Sequence, residues 1–195
     1  MSLNFRQLLL LCLSTFPTLS FAHAIEGNGF MAGLYHPVFG LDHLLAMLAV
    51  GILSTQIGGK AIWTVPASFV TIMLISGWVG MEALVDLSTV QVETGIVFSV
   101  ILLGFLIALE KNMPILLAML FVAFFAIFHG YAHGIEVPAK ANPFYFAAGF
   151  VISTILIHLA GVLIGFIASR WRFSKTLLRY AGAVMMGMGI QMLLG

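Results

Sequence analysis

Long apolar stretches without a charged residue dominate this sequence and leave few folds open to it. Residues 61–81, 94–109, 113–135 and 141–169 contain no Asp, Glu, Lys or Arg. Only 8% of the chain is charged and 62% is hydrophobic, whereas a soluble domain carries about 25% charged residues. A water-facing surface cannot be built from this composition, and a chain in lipid must pair its own backbone groups, as a helix does. We therefore predict an all-α membrane protein.

The first residues predict a cleavable signal peptide at residues 1–22. Arg6 supplies the positive flank, residues 8–13 supply the apolar segment, and Ser20 and Ala22 are small residues at cleavage spacing. The apolar segment is too short to cross a bilayer, which takes about 20 residues. The alternative is an uncleaved N-terminal anchor.

Cleavage after this segment determines which metal-binding groups remain in the mature domain, residues 23–195. Cys12 is the single cysteine, so its loss would remove disulfides, thiolate metal sites and cysteine nucleophiles together. His23 would become the new N-terminal residue. Its amine and imidazole could chelate a metal together, or the terminus could simply be solvated.

The mature domain has the length and turn signals of a bundle of six transmembrane helices. Each apolar segment holds about 18–26 residues, enough to cross about 30 Å of hydrocarbon. We place Pro37 at the first position of the first helix, where its missing N–H costs nothing, and His36 just before it. Residues 30–35 would then lie at the interface or form a short re-entrant piece. The predicted spans lie near 37–56, 61–84, 92–109, 113–134, 143–168 and 176–194.

The charges predict the orientation of this bundle in a bacterial inner membrane. One side carries Lys60, Lys111, Arg170, Arg172, Lys175 and Arg179, while the other carries Lys140 as its only Lys or Arg. By the positive-inside rule the first side is cytoplasmic. Both mature termini are then periplasmic, which agrees with an N-terminal signal peptide. The formal net charge of +1 argues against a nucleic-acid partner.

Two motifs rich in histidine occupy the periplasmic ends of the first and fourth spans. Ionisable residues inside a membrane are costly and are functional-site candidates by default. Because the two spans run in opposite directions, both motifs lie at one depth, which favours a ligand site over isolated structural histidines. The motifs are His36-Pro37-x-x-Gly40-x-Asp42-His43, followed by Met47, and Phe128-His129-Gly130-x-Ala132-His133-Gly134-x-Glu136.

Spacing indicates which of these side chains can meet. His129 and His133 share a helix face, with Glu136 one turn further. His36 and His43 would align if the first helix is regular through Pro37. Asp42, about 100° away from His43, either binds an ion directly or orients an imidazole. Imidazole and carboxylate without thiolate suit borderline ions such as Ni²⁺, Co²⁺, Zn²⁺ and Fe²⁺.

Several further residues are accessory candidates. Met47 lies four residues after His43 and could share its face. Glu82 and Glu93 end the second and third spans on the same side, where they could attract cations or simply be solvated. His158 lies about 22 Å along the fifth span. It is either a relay or exit site for an ion, or a polar contact between helices.

The two motifs resemble the signatures of the HupE/UreJ family of small bacterial membrane proteins, and the likeness covers nearly the whole mature chain. The resemblance implies secondary uptake of Ni²⁺ or Co²⁺ from periplasm to cytoplasm. Zn²⁺, Fe²⁺ and Cu are not excluded as transported ions, and we expect no permanent cofactor. It also implies a link to hydrogenase or urease maturation, and it leaves the oligomeric state open. The residues to which it points are His36, Asp42, His43, His129, His133 and Glu136.

Competing functions find less support in the sequence. Gly59-Lys60 lacks the earlier glycine of a phosphate-binding loop, so ATP hydrolysis by that route is excluded. A zinc protease would need Glu after the first histidine of His-Glu-x-x-His, where Gly130 stands. We therefore predict a protein that is not an enzyme. A metal sensor or accessory subunit that binds an ion without transporting it remains the alternative.

Overall fold

A computed structural model describes residues 29–110, 113–170 and 172–194 of the protein. The predicted signal peptide and His23 lie outside the described residues. Within these ranges the chain forms helices and no strand, which confirms the prediction of an all-α bundle. The helices are α1 (Phe30–Phe39), α2 (Leu41–Ile57), α3 (Ala61–Met81), α4 (Thr89–Leu109), α5 (Ile115–Ile135), α6 (Pro143–Ser169) and α7 (Arg172–Leu194).

The lengths of these helices match the thickness of a membrane. Five of them, α3 to α7, are long and apolar enough to cross it by themselves. The pair α1 and α2 passes the same test only when taken together, and its two members meet at an angle of 82°. The described residues therefore offer five spans, or six if the bent pair forms one span.

The beginning of the first span differs from our prediction. Pro37 lies inside α1 and not at the first position of a helix running to residue 56. The helix is interrupted at Gly40, whose backbone is extended with φ −82° and ψ 106°. The next helix, α2, begins at Leu41. Residues 30–35 belong to the short helix α1, which continues to Phe39. His36 and His43 were expected to align only along a regular helix, and the break at Gly40 removes that condition.

Local signals explain where two of the other helices begin. Ser88 caps α4 with its side chain, and Gln91 completes a capping box by bonding back to the Ser88 backbone. Asn142 caps α6 through two backbone amides, and Pro143 takes the first helical position. These caps lie within four residues of the predicted starts of the spans.

Glycines allow the helices to pack in close pairs. A Cβ at Gly130 of α5 would overlap the Met73 carbonyl of α3, so these two backbones are in direct contact. Gly51 of α2 and Gly161 of α6 meet in the same way. The most extensive contacts in the bundle are those of α3 with α5, α4 with α7, and α6 with both α1 and α2. Small residues at such contacts are typical of membrane helices, where close packing replaces the hydrophobic effect.

The two ends of the bundle differ in chemistry. At one end, α2, α4 and α6 begin and α3 and α5 finish, and both histidine motifs lie there. We call it the histidine end. At the opposite end, Lys175 pairs with Glu110 at 3.7 Å, and Arg179 donates to the Ala108 carbonyl. We call it the basic end.

Candidate metal site

Four imidazole rings from α1, α2 and α5 touch one another at the histidine end. The ring centroids of His36 and His133 lie 4.8 Å apart. His133 lies 4.4 Å from His43, and His43 lies 4.9 Å from His129. We call these four residues the histidine cluster. With the bend at Gly40 between them, His36 and His43 both contact His133.

Asp42 orients its neighbour in the sequence. Its Oδ1 accepts both the backbone N–H of His43 and the ring Nδ1–H, each at 2.8 Å. The carboxylate thus lies in the first turn of α2, where negative charge is favourable, and it fixes the tautomer of His43. Because Nδ1 holds the proton, Nε2 of His43 keeps a free lone pair. Asp42 thus orients the His43 imidazole in this structure, which is one of the two roles considered for it above.

Ser99 of α4 fixes the tautomer of His129 in a comparable way. The Ser99 hydroxyl donates its single hydrogen to the Ile96 carbonyl at 2.6 Å, so toward His129 it can only accept. The contact of 2.9 Å between Ser99 Oγ and His129 Nε2 is therefore an Nε2–H donation. The lone pair of His129 lies on Nδ1.

The remaining ring nitrogens of the buried histidines are unpaired. His43 Nε2, His129 Nδ1 and both nitrogens of His133 are buried and have no hydrogen-bond partner among residues 29–110, 113–170 and 172–194. An unsatisfied buried polar group costs about 1–3 kcal/mol, and the bilayer offers no water to offset it. Several such groups in mutual contact make this cluster the candidate binding site.

Glu136 and His36 form the mouth of the cluster. His36 Nε2–H donates to Glu136 Oε2 at 3.0 Å, and His133 Nδ1 lies 3.8 Å from the same oxygen. One ligand atom from each of these three residues lies within 4.8 Å of the others. The Glu136 side chain is 47% exposed and that of His36 is 23% exposed, whereas His129 is fully buried. The cluster thus leads from the surface into the bundle.

The accessory candidates differ in burial: two are exposed at the histidine end and two are buried inside the bundle. Glu93 is exposed in the first turns of α4 and interacts electrostatically with Asp42, His43 and Glu136. Glu82 is exposed just beyond α3. Met47 is fully buried in the apolar core. His158 lies deeper in the bundle, beside Phe69.

Several neighbours of the cluster were missed by sequence reasoning. Phe150 of α6 lies 4.1 Å from the His133 ring, Phe146 lies 5.7 Å from His36, and Phe69 of α3 lies 5.5 Å from His129. With 17 phenylalanines in the chain, nothing in the sequence marks these three. Ser99 carried a weak signal, since it is a hydroxyl in the middle of an apolar helix.

The donor set determines what this cluster can bind. Neutral imidazole nitrogens with one or two carboxylates suit borderline divalent ions, and the hard oxygen sites of Ca²⁺ or Mg²⁺ look different. Nitrogens with fixed tautomers also lower the ordering cost of binding.

Comparisons with known proteins show the family to which the chain belongs. The family model described as HupE / UreJ protein matches residues 10–192. Protein HupE of Rhizobium leguminosarum bv. viciae is 38% identical to this chain over 181 residues, which cover 92% of each chain. No solved structure matches the chain. Both similarities extend over nearly the whole sequence, well beyond the two motifs.

Proposed function

Because the chain belongs to the HupE/UreJ family, we propose that it is a secondary permease for divalent transition-metal ions, with nickel or cobalt as the physiological substrate. The observation that carries this proposal is the unbroken contact of four imidazoles, from the partly exposed His36 to the buried His129. An ion entering beside Glu136 can exchange one nitrogen ligand for the next without crossing apolar space.

Each residue of the two motifs has a distinct part in this proposal. Glu136 and His36 capture the ion at the surface, and His133 receives it. His43 and His129 then offer Nε2 and Nδ1, which Asp42 and Ser99 hold in place. The same donors accept Zn²⁺, Fe²⁺ and Cu, so the preference for nickel or cobalt rests on the family. The metal is cargo, and the proposal needs no resident cofactor.

The charges give the proposed direction of transport. Lys60, Lys175 and Arg179 all lie at the basic end, which we assign to the cytoplasm of a bacterial inner membrane. The histidine end and both mature termini then face the periplasm. A divalent ion moving inward gains about 4.6 kcal/mol per 100 mV of membrane potential, which drives accumulation without ATP. Nickel delivered in this way would supply hydrogenase or urease maturation.

Uptake of radiolabelled Ni²⁺ and Co²⁺ into proteoliposomes carrying the purified full chain tests this proposal. We expect saturable uptake by the wild type and a loss of at least about 100-fold in a His43→Ala/His129→Ala variant, because each good ligand contributes more than tenfold. The matched control is Ser68→Ala/Ser76→Ala. It removes two hydroxyls of α3 that bond to carbonyls outside the cluster, and it should transport like the wild type.

Other outcomes would contradict the proposal in distinct ways. Tight binding of Ni²⁺ by the wild type without uptake would favour a metal sensor or an accessory subunit. Uptake that survives in the double variant would place the path elsewhere in the bundle. A wild type that neither binds nor transports would leave the histidines with a structural role.

A further inference from the structure

A single ridge of α6 connects the histidine cluster with the interior of the bundle. Phe146, Phe150, Thr154 and His158 follow one another at intervals of four residues, so each lies about 6 Å beyond the one before it along one inclined ridge of the helix. The first two rings pack on His36 and His133. The next two side chains on the same ridge are polar, although they lie deeper in the membrane.

Thr154 and His158 are buried without hydrogen-bond partners. Thr154 is fully buried and His158 is 3% exposed. The Thr154 hydroxyl and both ring nitrogens of His158 are unpaired within the described chain. Each such group lowers the stability of the fold by about 1–3 kcal/mol. Apolar side chains at these two positions would avoid this cost.

Other hydroxyls in the bundle show that this arrangement is unusual. Ser and Thr in helices commonly bond to a carbonyl three or four residues earlier. Thr55, Thr71 and Ser99 do so, with Thr55 bonding to Ile52, Thr71 to Ala67 and Ser99 to Ile96. Thr154 stands one turn before His158 on the same face and makes no such bond to the helix.

One aromatic ring separates His158 from the histidine cluster. The Phe69 ring centroid lies 5.5 Å from that of His129 and 5.4 Å from that of His158. Phe69 is fully buried and contacts both the last imidazole of the cluster and the next one inward. An ion leaving His129 toward the basic end meets His158 as soon as it passes this ring.

We propose that His158 and Thr154 form a second binding position for a divalent transition-metal ion, which the ion occupies after it leaves the histidine cluster. This inference rests on the proposed transport function and adds a step to it. One imidazole and one hydroxyl hold a partly hydrated ion more weakly than several imidazoles do. A weak inner position suits conduction, because an ion must bind well enough to enter and loosely enough to leave.

Two measurements on the full chain test this position. Equilibrium dialysis with Co²⁺ in detergent should give two ions per wild-type chain, one tight and one about 10–100-fold weaker. The variants are His158→Leu and the nearly isosteric Thr154→Val. We expect His158→Leu to lose the weak ion and Thr154→Val to weaken its binding several-fold, with the tight ion retained in both. In proteoliposomes both should lower the maximal Ni²⁺ uptake rate, His158→Leu by about tenfold, while the half-saturating concentration stays constant.

The matched control is Ser153→Ala. Ser153 is buried next to Thr154 in the sequence, but it lines an apolar groove with Leu34 and Tyr35 on another face of α6. This variant should bind and transport like the wild type.

The outcomes separate this inference from the proposed function. A wild type that binds no Co²⁺ would overturn both. Wild-type stoichiometry and uptake rate in His158→Leu would overturn the inner position alone. If His158→Leu does not fold, Thr154→Val decides, and unchanged weak binding with unchanged uptake in that variant would also overturn the inner position.

Discussion

The histidine cluster and the position at His158 differ in how their imidazoles are held. In the cluster, Asp42 and Ser99 fix the tautomers of His43 and His129 through hydrogen bonds of 2.8 and 2.9 Å. At His158, neither ring nitrogen is bonded within the described ranges. A prearranged imidazole binds an ion with a smaller ordering cost than a free one. The comparison leads us to expect tighter ion binding at His43 and His129, whose rings are held, than at His158.

The largest effect on uptake should come from disrupting the backbone contact between α5, which carries His129 and His133, and α3. In Gly130→Ala the new Cβ would overlap the Met73 carbonyl and push α5 from α3. We expect a free energy of unfolding lower by about 1–3 kcal/mol and a loss of uptake of about 100-fold, as a displacement of about 1 Å causes in positioned sites. Thermal unfolding and uptake measure both.

The control for this variant is Gly187→Ala in α7. Nothing lies within 4 Å of a Cβ at this position, so stability and uptake should remain unchanged. Equal stability of the two alanine variants would show that the glycine contact is not needed.

A smaller effect on uptake should follow when His43 is held less firmly and so resembles the unpaired imidazole of His158. Asp42→Asn removes the charge that holds His43, although the amide oxygen can still accept the Nδ1 proton. We therefore expect the half-saturating Ni²⁺ concentration to rise by about tenfold, the lower end of the range for such supporting groups. Asp86→Asn, which changes an exposed carboxylate beyond α3, is the control. A similar rise in both variants would assign the effect to surface charge.

The smallest effect on uptake should come from changing Glu136 at the exposed mouth of the cluster. Glu136→Gln removes the charge that pairs with His36, but the Glu136 side chain is 47% exposed. Exposed pairs contribute at most about 1 kcal/mol, so the half-saturating concentration should rise at most about fivefold. Added salt should reduce the difference between this variant and the wild type. A loss as large as in Asp42→Asn would mean that Glu136 is a principal ligand.

The sequence predicted what depends on composition and on spacing within a helix. The all-α membrane bundle is confirmed, because a chain with 8% charged residues has few other solutions. Membership of the HupE/UreJ family, inferred from the two motifs, is confirmed by a match over residues 10–192. His129 and His133 do share a face, as their four-residue spacing required.

What the sequence could not show depends on contacts between distant segments. Pro37 is compatible with both a helix start and the last turn of a short helix, and the packing of α1 on α6 selects the latter. The pairing of Ser99 with His129 joins residues that are 30 positions apart. Phe69 contacts both His129 and His158 only because α3, α5 and α6 come together in the fold.

The glycine contacts divide the ligands between two bodies. His129 and His133 lie on α5, with Glu136 at its end, and α5 packs backbone to backbone on α3. His36 and His43 lie on α1 and α2, which pack in the same way on α6, the helix that carries His158. Backbone contacts of this kind resist sliding within a pair, so a rocking motion would occur between the pairs. An ion bound in the cluster would bridge the two bodies, and its departure would uncouple them. Occupancy and shape would then change together, without a dedicated hinge residue.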